Sequence, residues 1–115
     1  MENVALECQI AVMLRLIGVP PNVRGWRYIV DAVALAAADE ELLHAVTKEL
    51  YPAVAAKHGT TPSRVERCIR HAIEWAYTNG DLDMLKTYLG NIVGYDKGKA
   101  TNAAFIAGLA SWCRA

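Results

Sequence analysis

The stretch LYPAVAAKHGTTPSRVERCIRHAIEWAYTNG, residues 50–80, decides the fold. Within it, SRVERCIRHAIEW at 63–75 returns an apolar residue to one side every three or four positions. At 100° per residue Val65, Ile69, Ala72, Ile73 and Ala76 fall together, the buried stripe of an amphipathic helix. Ser63, Glu66, Arg67, Arg70 and Glu74 share the opposite face, flanked by Arg64 and His71. Thr61, with Pro62 at the first helical position, is one way to cap this helix; a Ser63–Glu66 capping box is another. Asn79-Gly80 ends it. Upstream, residues 47–58 carry Leu50, Tyr51, Val54 and Ala55 at helical spacing. Pro52 must kink that helix or restart it, because an interior proline loses a backbone bond and clashes with the turn before it. Gly59 suits the left-handed position after a helix end. A short helix, a three-residue turn and an arginine-bearing helix give helix–turn–helix order over about 48–78, with the second helix at about 62–78.

Outward from this centre the chain stays helical. Residues 1–17 place Val4, Ala5, Cys8, Ala11, Val12, Arg15 and Leu16 at helical spacing, with Ile10, Leu14 and Ile17 widening the stripe, stopped by Gly18 and Pro20-Pro21. A second helix follows a turn at 22–25 and runs through Trp26, Ile29, Val30, Val33, Ala34 and Ala37. Asp39 caps a short segment with Leu42, Leu43 and Val46. Asp81 opens another through Leu82, Leu85 and Leu89, stopped by Gly90. After a loop at 91–100, Thr101 or Asn102 caps a last helix through Phe105, Ile106, Leu109 and Trp112. No stretch sustains a period of two. The expectation is an all-α, compact bundle of about six helices, with residues 1–115 as one helix–turn–helix domain.

Composition agrees with one domain. The chain has 115 residues, 54% of them hydrophobic, with zero formal net charge and a mean hydropathy of +0.15. That is apolar enough for a core and excludes a disordered chain. The longest run without a charge, residues 100–113, contains Thr101, Asn102 and Ser111 and is too short to span a bilayer. Met1-Glu2-Asn3 does not open a signal peptide. Three cysteines, Cys8, Cys68 and Cys113, show no pairing pattern, so a reducing, cytoplasmic setting is expected. Residues 1–50 sum to −3 and residues 51–115 to +3, an asymmetry that suggests one face meets a polyanion.

Little in the chain suggests catalysis. GYDKGKAT at 94–101 is superficially like a phosphate loop, but its spacing fails and no strand feeds it; Lys97 and Lys99 can still touch phosphates. Cys68 and His71 lie three apart, yet no second pair completes a metal site. His44 and His58 have no evident acidic or nucleophilic partner, and Asp39-Glu40-Glu41 suits a helix start. No enzyme, cofactor or metal is expected. The arginine helix is different. Arg can bond guanine bidentately, Glu can accept from the cytosine amine, and further Arg or His can hold phosphates. A solvated surface helix with Arg and Glu paired four apart, such as Arg70–Glu74, would use the same residues. The preceding short helix and turn favour DNA, since the second helix of such a pair enters the major groove. Ala55 would be the small residue at the helix crossing, and Val65 and Cys68 the inward positions.

The LYP, TTxSRVERxIRHAIE and TN-xx-FIA patterns, with IGVP near Gly18 and K-x-K-x-TN at 97–102, closely resemble the C-terminal DNA-binding domain of the sporulation master response regulator of endospore-forming bacteria. The resemblance covers about residues 5–110. It implies a six-helix fold, without cofactor, that reads a TGTCGAA-like box. Base contacts would fall on Arg64, Glu66 and Arg67, and phosphate contacts on Ser63, Arg70 and His71, with Lys57, Lys97 and Lys99 as further candidates. It also implies contact between Asp83 and Lys86 and the RNA polymerase sigma subunit. Pairing on tandem boxes would run through Phe105, Leu109 and Trp112, the chain being a monomer or weak homodimer off DNA. Pro62 stands where the family usually has Ala, and the loop after Gly90 is richer in glycine. These residues include no receiver domain, so an excised domain and a receiver-less relative both fit. The competing reading is an interaction module that binds a partner regulator or RNA polymerase rather than DNA.

Overall fold

The computed structural model describes residues 4–90 and 98–114. Its helices are α1 (Val4–Ile17), α2 (Arg24–Ala38), α3 (Tyr51–His58), α4 (Pro62–Asn79), α5 (Leu82–Leu89) and α6 (Asn102–Arg114). A 3₁₀ turn (Glu40–His44) and a wider π turn (Val46–Leu50) join α2 to α3. Among the described residues all regular structure is helical, so the chain is an all-α bundle.

α2 is the central post. Trp26, Tyr28, Ile29, Val30, Ala32, Val33 and Ala36 are all buried, and the helix packs against α1, α4 and α6. It begins at Arg24, so Gly25 is inside the helix rather than in the turn expected at 22–25. The reason is packing. A Cβ on Gly25 would strike the backbone carbonyl of Cys68 and sit 2.8 Å from the Cβ of Ala72. The α2–α4 crossing therefore has room only for a hydrogen there. Cys68 itself is half-buried against the core.

Pro52 restarts the chain. Without an N–H it cannot donate in α-helical register, so the preceding residues widen: Leu50 N donates to the Ala45 carbonyl at 3.2 Å, and α3 begins with Pro52 in its first turn. Gly59 closes α3 in the left-handed region, at φ 62°. Thr61 caps α4, its hydroxyl accepting from Arg64 N at 3.2 Å. Thr101 caps α6 by accepting from Ala104 N at 3.1 Å. In α6, Phe105, Ile106, Leu109 and Ala110 are all fully buried. This corrects the assignment of Phe105 and Leu109 to a dimer contact: Phe105 and Leu109 on one side of α6, and Ile106 and Ala110 on the other, all enter the core of the same chain. Of the three residues proposed for pairing, only Trp112 is exposed, at 44%, with its ring edge-on to Tyr88.

Candidate nucleic-acid interface

α4 is buried along Val65, Ile69, Ala72, Ile73 and Ala76, as its periodicity requires. That burial fixes which side chains face out. Ser63, Arg64, Arg67, Arg70 and His71 are all exposed. Arg64 and Arg67 sit one turn apart at the start of the helix, and among the described residues neither guanidinium has a partner. Two positive groups are thus presented together on the exposed side of the first turns of α4.

Glu66 and Arg70 are engaged with each other. Arg70 Nε donates to Glu66 Oε2 at 3.0 Å, across one turn, and the bond raises the Arg70 pKa above its ordinary value. The solvated-helix reading names Arg70–Glu74 as an example of such a pair. Because Thr61 caps the helix, Glu66 is not committed to a capping box and its carboxylate stays at the surface, 39% exposed.

Beside this pair a cleft of about 430 Å³ separates α4 from the start of α6, with Arg70, Lys99, Thr101 and Asn102 among its lining residues. Two tyrosines hold the α6 side in place. Asn102 Nδ2 donates to the Tyr51 hydroxyl and to the Glu66 backbone carbonyl, both at 3.1 Å. The Tyr77 hydroxyl accepts from Ala100 N at 3.1 Å. Burial is the main cause of a raised pKa at both phenols. These contacts bring Lys99 alongside α4 although about 30 residues separate them in sequence. Sequence reasoning missed the tyrosines; the TN of the 97–102 pattern was the available signal. Lys97 lies outside the described residues.

On the other flank of α4, His71 and Trp75 line a smaller cleft with Arg24 and Gly25. Lys57 is directed at α2, its Nζ 3.3 Å from Asp31 Oδ1, and His58 Nε2 bonds the other oxygen of the same carboxylate. His58 therefore has the acidic partner that its sequence neighbours did not reveal, because the partner lies 27 residues away on another helix. Asp83 and Lys86 are exposed on α5.

A family model described as sporulation initiation factor Spo0A C terminal matches residues 10–112. The chain belongs to this family. The Spo0A C-terminal family is one of DNA-binding effector domains, so this is a DNA-binding, transcription-regulating domain of the sporulation type and double-stranded DNA is its partner. Among the described residues no helix is long and apolar enough to cross a membrane.

Proposed function

We propose that the domain regulates transcription by reading a TGTCGAA-like box through the major groove, with α4 as the recognition helix of a helix–turn–helix spanning about residues 48–78. The observation that supports this most directly is the Arg64–Arg67 pair, without a partner among the described residues, at the exposed start of a helix whose other face is buried. A groove about 12 Å wide admits one helix, and the residues at its N-terminal end reach the base edges. Arg64 and Arg67 bond guanines. Glu66 accepts from a cytosine amine, exchanging its bond to Arg70 for one to the base. Ser63, Arg70 and His71 hold phosphates next to the read bases, and Lys99 reaches the strand that passes the α6 side of α4. Lys57 serves as a weaker phosphate contact, its charge being shared with Asp31.

Regulation would use two other surfaces. Asp83 and Lys86 on α5 meet the RNA polymerase sigma subunit, and Trp112 is the side chain of the α6 group left for pairing on tandem boxes. A gel shift with a TGTCGAA duplex and a scrambled duplex, at stated salt, tests the central reading. Preferential binding of the first is expected; equal affinity for both would refute readout of that box.

A further inference from the structure

Among the described residues Asp31 is the one charged side chain in the core, 2% exposed. It sits midway along α2, and its two oxygens are taken by consecutive residues of α3. Lys57 Nζ lies 3.3 Å from Oδ1, and His58 Nε2 bonds Oδ2. An ionised carboxylate only accepts, and toward one His58 Nε2 is the donor. Tyr28, one turn earlier on α2, packs edge-on against the His58 ring with centroids 5.1 Å apart. Among the described residues His58 and Lys57 are the titratable groups that meet the carboxylate, and Tyr28 faces the His58 ring.

A buried carboxylate is a costly way to hold two helices together, because an apolar pair of similar size would pack without desolvating a charge. Its advantage is direction. Two donors on adjacent residues, meeting separate oxygens, fix both the rotation and the height of the last turn of α3 against α2. That turn ends at Gly59, and α4 begins at Pro62. The orientation of α3's end is therefore handed to α4 through a three-residue turn with little slack.

We propose that Asp31 is a positioning residue for DNA recognition: through His58 and Lys57 it sets the angle at which α3 and the turn deliver α4 to the groove. The proposal rests on the reading of α4 as the recognition helix. Asp31 touches no base itself.

The test compares wild type, Asp31→Asn, His58→Ala and His58→Gln at a temperature where circular dichroism shows each fully folded. Affinity is measured for the TGTCGAA and scrambled duplexes, with amide exchange at Gly59, Thr60 and Thr61. Asp31→Asn and His58→Ala should lose about five- to tenfold on the TGTCGAA duplex, within the range by which residues that touch no ligand modulate binding. Scrambled binding should stay unchanged, and the turn amides should exchange faster. His58→Gln, whose amide can donate to the same oxygen, should recover most of the loss. Unchanged cognate affinity in both damaging variants overturns the proposal, as does an equal loss on both duplexes. If Asp31→Asn does not fold, the two His58 variants carry the test. If wild type binds neither duplex, the recognition-helix reading fails separately, and turn exchange that is unaltered in the variants still overturns the positioning role.

Discussion

Replacing Gly25 with alanine sets local preference against packing. Gly25 is the second residue of α2, and by helix propensity alone the change to Ala should stabilise the domain by at most about 1 kcal/mol, the value for a helix interior. The structure predicts the opposite sign. The new Cβ would overlap the Cys68 carbonyl and approach the Ala72 Cβ to 2.8 Å, where ordinary contacts begin at 3.4 Å. The obstacle includes backbone on the facing helix, so no flexible side chain can swing aside and α2 and α4 must part by more than half an ångström. Overpacking typically costs 1–3 kcal/mol, and a rigid backbone obstacle belongs near about 3 kcal/mol. Subtracting even a full interior propensity gain leaves a net loss of about 2 kcal/mol. For a domain of this size that lowers Tm by roughly 8 °C. Thermal unfolding by circular dichroism measures it. An unchanged or raised Tm would refute the claim that this crossing is closed to a methyl group. Because α4 is the helix displaced, binding to the TGTCGAA duplex by the folded fraction should weaken as well.

Arg64→Ala and Arg67→Ala should each cost about 1–3 kcal/mol on the TGTCGAA duplex and little on a scrambled one, with Tm unchanged, as read by fluorescence anisotropy and melting. Lys99→Ala should weaken both duplexes alike and make the slope of log affinity against log salt shallower by about 0.9, in a salt titration. Asp83→Ala with Lys86→Ala should leave DNA affinity intact and lower transcription in a reconstituted assay; a joint loss would make α5 structural instead. Tyr51 and Tyr77 both titrate above the ordinary value of 10.0 in the fold, so the unfolded chain gives up these protons first and stability falls as pH rises past 10. Tyr51→Phe with Tyr77→Phe should flatten that part of the pH–stability curve in chemical denaturation.

Most of the helices were legible because they carry their own punctuation. Thr61-Pro62, Gly59, Asp81 and Thr101 mark boundaries by local chemistry, and the 3.6-residue period of α4 named its buried face residue by residue. What escaped depended on which helix lies opposite. Gly25 looks like a turn residue until Cys68 is seen across from it, and His58 looks partnerless until α2 brings up Asp31. The two stripes of α6 had the same pattern whether one or both were covered, so periodicity could not say that both are. In the candidate site, the spacing of the arginines was visible in sequence. The bond between Glu66 and Arg70 was one of two Arg–Glu pairings four apart that the helix allowed.

The Asn102 side chain meets Glu66 and Tyr51, residues 36 and 51 positions earlier in the chain. Loops of that length close at an entropic cost that local contacts do not carry, whereas α3, its turn and α4 are neighbours along the backbone. In kinetic terms the arginine face is assembled from near contacts, and the Lys99 flank joins when the last helix docks. A ribosome releasing this chain would have exposed α4 before the residues that complete the far wall of its cleft were in place.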